Sequence, residues 1–266
     1  MSVISAGSAG TFVTVLGSSG CKYDPGNDTA SFVINNKIIV DTGWNLVDNL
    51  MGLGLEPKDF KTVLFTHLHH DHYLALPQFL FYHLCAGTNL SDLLLIGPHD
   101  LNIVVDLAMS FLQTSKFYKD TSYPKCMDLK TDVRFFPDKE QLLFVESEKS
   151  LHPVSGKYYR VTDLSTGKKI GFSGDTAYSP VEISFFKNCD LLFHECSLGG
   201  KKRNGDENSY LHAAAEEAAY VAAEAGVKKL ALVHYAERFK EDCFNAASNI
   251  FKGEILTPKK GDIIFV

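Results

Sequence analysis

The chain has 266 residues, 45% of them hydrophobic, and a formal net charge of −6. This length allows one large domain or two small ones, of which we expect a single domain over residues 1–266, and the apolar content supports a large core. The acidic balance argues against a nucleic-acid-binding surface, and no apolar run is long enough to cross a bilayer, so we expect neither nucleic acid nor a membrane as a partner.

Two further features of the sequence predict a cytoplasmic protein, and a third bears on nucleic-acid binding. The amino terminus lacks the pattern of a signal peptide. The six cysteines form no Cys-x-x-Cys pair, which predicts reduced and mostly buried thiols. The best basic run, Lys201-Lys202-Arg203, is short, and we expect it to be a solvated loop.

The apolar runs predict strands and helices that alternate in two similar halves. The first half should hold strands at residues 12–16, 31–34, 38–40, 63–66 and 93–96 and helices at 73–85 and 103–115. The second half should hold strands near 133–136, 142–145, 158–163, 169–173, 191–193 and 229–234, and a helix at 213–225 that ends before Gly226. We expect segment 116–130 to be a loop over the site. Strands in two groups with helices outside predict an α/β sandwich of two sheets flanked by helices.

Four potential metal ligands lie in one segment that follows an apolar strand, Thr66-His67-Leu68-His69-His70-Asp71-His72. His67 and His69 are two residues apart, so on an extended chain both point to the same side. Asp71 and His72 follow where the chain should turn into a helix. Imidazole and carboxylate groups together suit Zn²⁺ and similar divalent ions. The segment therefore predicts a metal site.

This His-x-His-x-Asp-His pattern after a strand resembles the signature of the metallo-β-lactamase superfamily. Further segments fall in the superfamily's order: Ile38-Ile39-Val40-Asp41-Thr42-Gly43, His152, Phe172-Ser173-Gly174-Asp175-Thr176 and Leu232-Val233-His234. Within the superfamily, the chain is most similar to the ribonuclease Z-like phosphodiesterases, on the segments Leu16-Gly17-Ser18-Ser19-Gly20, Ile96-Gly97-Pro98, His194-Glu195-Cys196-Ser197 and the run from His212. The resemblance covers nearly the whole chain and implies a four-layer αββα sandwich.

The resemblance also implies a centre of two divalent ions, with zinc as the first choice and manganese or iron as alternatives. One ion would take His67, His69 and His152, the other Asp71, His72 and His234, and Asp175 would serve both. A carboxylate can span two ions about 3.5–4 Å apart. Asp175 follows Gly174, whose small size permits a tight turn at the metal.

The expected chemistry is attack by a metal-bridging hydroxide on phosphorus or on a carbonyl carbon. Asp71, His212 and Glu195 are the expected catalytic residues. His212 would protonate the leaving oxygen while Glu195 orients it, and the family's pattern supports this pair, although Ala213 stands where the family usually has Ser or Thr. Asp41 is either an outer partner of a ligand histidine or a simple turn residue. The remaining histidines are expected to be structural: His70, His83, His99 and His194.

The expected substrate is a small or cyclic phosphodiester. Relatives that process transfer RNA carry a long Gly- and Lys-rich arm, which residues 153–174 do not show, and their loop near the first strand is poorly kept at residues 23–28. The alternatives are lactone, thioester or carboxyl-ester hydrolysis, ribonuclease Z-like RNA processing, a di-iron redox enzyme, which His69 disfavours, and a non-enzymatic metal-binding module. The sequence leaves a homodimer open.

Overall fold

The computed structural model describes residues 10–22, 24–118, 122–137, 140–201 and 209–266. In these residues, two β-sheets pack face to face and helices cover both outer surfaces. The predicted four-layer αββα sandwich is therefore confirmed.

The first sheet has eight strands. Their bounds are β1 (Phe12–Ser19), β2 (Asp28–Thr29), β3 (Ser31–Ile34), β4 (Ile38–Val40), β5 (Thr62–Leu64), β6 (Leu94–Ile96), β7 (Lys125–Met127) and β14 (Ile263–Phe265). The order across the sheet is β14-β1-β3-β4-β5-β6-β7, with β2 beside β1. The pairs from β4 to β7 are parallel, so these strands end at the same edge.

The second sheet has six strands. Their bounds are β8 (Leu143–Lys149), β9 (Lys157–Asp163), β10 (Lys168–Phe172), β11 (Leu191–Glu195), β12 (Lys229–Val233) and β13 (Glu254–Leu256). The order is β13-β12-β11-β10-β9-β8. The pairs from β10 to β13 are parallel, and the other two pairs are antiparallel.

The central strands bury both of their faces, which explains their continuous apolar runs, whereas the edge strands β7, β13 and β14 are partly exposed. In β4, Ile38 and Val40 pack between the two sheets, whereas Ile39 packs against the outer helices. This alternation follows from the two-residue period of a strand. Between the sheets, the ring centroids of Phe32 and Phe193 are 4.5 Å apart.

The helices form the two outer layers. Their bounds are α1 (Leu46–Gly52), α2 (His70–Tyr73), α3 (Leu76–Cys85), α4 (Leu101–Phe111), α5 (Thr114–Phe117), α6 (Val181–Phe185), α7 (Ala215–Glu224) and α8 (Lys240–Ile250), with 3-10 turns at Pro57–Asp59, Leu90–Asp92 and Glu237–Phe239. Apolar residues of α1, α3 and α4 pack on the first sheet, and those of α6, α7 and α8 pack on the second. Within the described ranges, no helix has the length and apolar composition needed to cross a bilayer.

Several local predictions were wrong. Residues 133–136 form no strand, and only a single bridge joins Phe135 to Val145. The helix predicted at 73–85 starts at Leu76, where the following proline suits a first turn. The helix predicted at 103–115 ends at Phe111, and Gln113 has a φ of 52°. Segment 116–130 contains the edge strand β7 rather than only a loop. Cys21, Cys85 and Cys126 are exposed, so only half of the thiols are buried.

Two predictions fall on residues that the structure does not describe. Residues 1–9, on which the prediction about a signal peptide depends, lie outside the described ranges. Lys202 and Arg203 of the basic run also lie outside them.

Candidate metal centre

Three imidazole rings meet beyond the end of β5. The chain stays extended through His69, so His67 and His69 point the same way, and His67 Nε2 lies 3.2 Å from His69 Nδ1. His152, in the turn between β8 and β9, places Nε2 3.1 Å from the same His69 atom. A tetrahedral zinc ion with Zn–N bonds of 2.0–2.1 Å holds its nitrogens about 3.3 Å apart. Both distances to His69 Nδ1 therefore fit ligands of one zinc ion.

A second group of ligands lies deeper, at the start of α2 and the end of β12. Asp71 Oδ2 is 3.1 Å from His234 Nε2 and 3.4 Å from His72 Nε2. All three side chains are buried. One nitrogen or oxygen from each of them lies within 4.8 Å of the others, which is close enough for one metal ion.

Asp175 lies between the two groups, just past the end of β10. Its Oδ2 is 3.6 Å from His67 Nε2 in the first group. Its Oδ1 is 3.5 Å from His72 Nε2 in the second. Since each oxygen faces a different group, the carboxylate has the geometry of a bridging ligand. The structure thus brings together the seven residues that the sequence predicts as ligands.

Two buried atoms at the centre of this cluster fit a metal ion. Among the described residues, neither His72 Nε2 nor Asp175 Oδ1 has a hydrogen-bond partner. A buried polar atom without a partner typically costs about 1–3 kcal/mol. A divalent cation would satisfy both atoms, and nitrogen and carboxylate oxygen are ligands that it accepts.

Contacts around the cluster fix the orientation of its rings. Asp41 Oδ2 lies 2.8 Å from His72 Nδ1, and the same carboxylate accepts the backbone N–H and the hydroxyl of Thr66. Asp41 therefore contacts a ligand histidine and is more than a turn residue. The hydroxyl of Ser197 lies 2.8 Å from His234 Nδ1. Such outer contacts select the ring nitrogen that faces the metal.

Positive φ angles occur at three residues of the cluster and its contacts, Asp41, Gly174 and His234. Gly174 has a φ of +54°, and a Cβ there would lie 2.6 Å from the Cβ of Thr66. Only glycine fits this turn, which sets the position of Asp175. His234 has a φ of 59°, a conformation that costs energy for a residue with a Cβ. Its N–H donates to Ser18 at 2.7 Å, and this contact holds the strained residue in place.

The electrostatics of the cluster favour bound cations. Burial would raise the pKa of Asp71, but hydrogen bonds from His234 and His72 hold it below its usual range. Burial lowers the pKa of His67, which keeps a lone pair available. Burial would also lower the pKa of His72, but the charges of Asp175 and Asp41 raise it. The carboxylates thus attract positive charge to His72 Nε2, where a metal ion and a proton compete for the same lone pair.

His212 and Glu195 form a pair beside the ligands. His212 Nδ1 lies 2.8 Å from Glu195 Oε1 and 3.9 Å from Asp175 Oδ2. The Glu195 carboxylate also accepts the backbone N–H groups of Thr176 and Ser197, each at 2.9 Å. Burial alone would lower the pKa of His212, but the hydrogen bond and charge of Glu195 raise it to about 9. The imidazole is therefore protonated at neutral pH and can donate a proton.

The other four histidines lie outside the cluster. His70 packs edge-on against Trp44, His83 is buried beside Thr88, and His99 is exposed. His194 faces away from Glu195. Sequence reasoning missed the contacts of Ser197 and of Glu182, the partner of His194. No spacing rule indicates them, because each contact joins segments that meet only in the folded chain.

Known proteins share this fold over nearly the whole chain. Ribonuclease Z of Picrophilus torridus is 27% identical, over 94% of this chain and 94% of its own. The metallo-β-lactamase fold protein YhfI from Bacillus subtilis superposes with a TM-score of 0.79 and 23% identity, over 97% of this chain and 100% of its own. The short form of human tRNase Z superposes with a TM-score of 0.75 and 19% identity, over 95% of this chain and 98% of its own.

These likenesses confirm the resemblance to metallo-β-lactamase superfamily hydrolases related to ribonuclease Z. A narrower assignment comes from the family model described as "Anti-Pycsar protein Apyc1", which matches residues 27–252. Because this match spans most of the chain, the protein belongs to the Anti-Pycsar protein Apyc1 family.

Proposed function

We propose that the protein binds two divalent metal ions, zinc by preference and manganese or iron as alternatives, and hydrolyses a small or cyclic phosphodiester. The observation that carries the proposal is Asp175, whose two oxygens face two separate groups of ligands. The first group is His67, His69 and His152, and the second is Asp71, His72 and His234. We further propose that residues 1–266 form one cytoplasmic domain.

In this proposal, the chain's own residues place and move the protons. When bound, the metal ions would supply an activated water and neutralise negative charge on the attacked phosphate. Asp71, which is ionised because its pKa is held low, would help to hold a metal ion and would accept a hydrogen bond from the attacking water. The imidazolium of His212 donates a proton to the leaving oxygen, and Glu195 holds its Nδ1–H.

A cavity next to His152 favours a phosphate-containing substrate over a lactone. It has a volume of about 380 Å³, and its lining combines polar and charged residues, among them His99, Lys149, Ser150 and Asp128, with the apolar Pro98, Pro153 and Val154. Lys157 also borders it, although its ammonium group pairs with Asp128 at 2.7 Å. An apolar cavity would suit acyl or lactone substrates, whereas this one suits an anion.

Ribonuclease activity is the second candidate, because the relative from Picrophilus torridus is named a ribonuclease Z. Against it, the interval between His152 and Asp175 is occupied by β9, β10 and their short connections, so it holds no substrate-gripping arm. The net charge of −6 also disfavours a long polyanion. We therefore place RNA second.

The experiment combines metal analysis with a substrate panel. We expect about two equivalents of divalent metal per chain and hydrolysis of bis-p-nitrophenyl phosphate and of at least one cyclic nucleotide. A lactone and a precursor transfer RNA test the alternatives. Turnover of either one without cyclic nucleotide hydrolysis would overturn the assignment, as would less than one equivalent of metal.

Asp175→Ala tests the bridging role within the same panel. The variant should lose turnover and bind at least one metal ion less tightly while it stays folded, because both oxygens that face the ligand groups are removed. Asp242→Ala, at an exposed position on α8, is the matched control for the loss of a carboxylate. Near-normal hydrolysis by Asp175→Ala would show that the bridge is wrongly assigned.

A further inference from the structure

A buried ion pair lies on the far side of β11 from the ligand cluster. His194 and Glu195 are neighbours at the end of this strand, so their side chains point to opposite faces. Glu195 faces His212, whereas His194 faces α6, where its Nε2 lies 2.9 Å from Glu182 Oε1. Both members of the Glu182–His194 pair have no exposed surface.

The contacts of this pair fix where its hydrogens lie. His194 Nδ1 is 2.8 Å from the carbonyl oxygen of Glu195, and a carbonyl oxygen only accepts, so Nδ1 carries a hydrogen. Glu182 Oε2 accepts the N–H of Ser179 at 2.8 Å, which fixes the orientation of the carboxylate. Burial would lower the pKa of His194, but the hydrogen bond and charge of Glu182 raise it. The imidazole is thus held in one orientation.

Stability alone does not explain such a pair. Removing two charges from water is expensive, and well-packed apolar residues of similar size are often at least as stable. The buried core around it is apolar, with Phe186 and Tyr158 among its members. A directional role is therefore the better explanation.

The contact of His194 Nδ1 with the Glu195 carbonyl helps to orient the peptide group after Glu195. This peptide joins Glu195 to Cys196, whose N–H donates to the carbonyl of Val233 on β12 at 3.0 Å. The N–H of the next residue, Ser197, donates to Glu195 Oε2 at 2.9 Å. Glu195 Oε1 in turn contacts His212 Nδ1 at 2.8 Å. A rotation of this peptide would move Ser197 and tilt the carboxylate away from the imidazole of His212.

We propose that Glu182 and His194 are positioning residues for the proton-donating step, because they hold the Glu195 carbonyl and so aim the Glu195 carboxylate at His212. Neither residue touches the substrate. This inference rests on the proposed function for its kinetic consequence, but the geometry it predicts can be measured without turnover.

The test compares two substitutions that each keep half of the imidazole's contacts. In His194→Asn, the amide nitrogen lies near the position of Nδ1 and can still donate to the Glu195 carbonyl. In His194→Gln, the amide reaches towards Glu182 but the Nδ1 donor is lost. His83→Asn is the matched control, because His83 is also fully buried but contacts Thr88 on the opposite layer.

For His194→Gln we expect unchanged metal content and about a ten-fold loss on a cyclic nucleotide, the size of one lost hydrogen bond. Hydrolysis of bis-p-nitrophenyl phosphate should change less than about two-fold, because its leaving group needs little protonation. His194→Asn should recover most of the loss, and His83→Asn should leave the ratio of the two rates unchanged. Equal losses on both substrates in His194→Gln would show a merely structural role and overturn the inference.

A crystal structure of zinc-loaded His194→Gln separates this inference from the proposed function. We expect the contact between His212 Nδ1 and Glu195 Oε1 to lengthen beyond hydrogen-bonding distance while the seven clustered ligands keep their places. An unchanged contact would overturn the inference whatever the substrate is. A broken contact in a protein that hydrolyses no phosphodiester would support the inference and reject the proposed function.

Discussion

Replacing Glu195 with Gln should change the pH dependence of catalysis in a way that the structure makes quantitative. Burial alone would lower the pKa of His212, but the hydrogen bond and charge of Glu195, followed by the charges of Asp175 and Asp71, raise it to about 9. Gln has the same size but no charge, so the pKa of His212 should fall towards its ordinary value of 6.5. One of the two backbone N–H groups at Glu195 also loses its acceptor, which is a cost that does not depend on pH.

The size of the effect follows from the protonated fraction of His212. At pH 6 this fraction is nearly complete in the wild type and about 76% in the variant, a ratio of about 1.3. At pH 8 it is about 91% in the wild type and about 3% in the variant, a ratio of about 30. The ratio must grow with pH, because the raised pKa keeps His212 protonated to a higher pH in the wild type than in the variant.

The assay is kcat/KM against pH for a cyclic nucleotide and for bis-p-nitrophenyl phosphate. Glu224→Gln, at an exposed position on α7, is the control for the loss of a carboxylate. The gap between variant and wild type should widen with pH for the cyclic nucleotide and stay small for the p-nitrophenyl ester. A gap that is the same at every pH would refute the acid role of His212.

Three further outcomes follow from the same geometry. His212→Ala should keep its metal ions and lose about 10²–10⁴-fold in rate on a cyclic nucleotide, and an equal loss on bis-p-nitrophenyl phosphate would indicate substrate binding instead. Gly174→Ala should lower the free energy of unfolding of the zinc-loaded protein by about 2–4 kcal/mol, and with it the melting temperature. The reason is that Gly174 has a φ of +54° and that a Cβ there would lie 2.6 Å from Thr66. An unchanged melting curve would contradict this. Lys149→Ala should raise KM about three-fold with kcat unchanged, since it removes a cation from the cavity, whereas the exposed Lys187→Ala should change neither.

The sequence predicted the elements whose residues are buried on both faces. Strands such as β3 and β4 carry unbroken apolar runs because one side packs between the sheets and the other under the helices. The elements that the sequence did not predict have weak hydrophobic patterns. Helix α8 buries only Cys243, Ala246 and Ala247, which are small and leave little periodic signal. Strand β7 lies at the edge of its sheet, and two of its three residues are exposed.

Apolar composition also misled the prediction near residues 133–136. Val133 is 44% exposed and Phe136 is 38% exposed, so these residues do not bury a strand face. Their apolar character matches that of a strand, but the chain there pairs only once with β8. Whether an apolar run is buried depends on the residues that lie next to it in the folded chain, and the local sequence pattern does not contain that information.

The candidate site was more predictable than the fold around it, because its residues follow strands. Asp41 and the signature segment follow β4 and β5, which are parallel neighbours in the first sheet. Asp175, Glu195 and His234 lie at the ends of β10, β11 and β12, which are parallel neighbours in the second. Parallel strands end at one edge, so a polar residue after each apolar run is brought to a common place. Glu182 could not be found this way, since it lies on a helix that the sequence did not reveal.

Each of the two ligand groups draws side chains from both sheets, so each group is brought together by how the two sheets stack. The hydroxyl of Tyr159 on β9 donates to the carbonyl of Phe65, and the N–H of Lys157 donates to the carbonyl of Thr66 at 2.8 Å. The N–H of His234 donates to Ser18 of the first sheet at 2.7 Å. These contacts cross from one sheet to the other directly beside the ligands. Because a packed core resists small shifts, these contacts hold the clustered side chains close to one another.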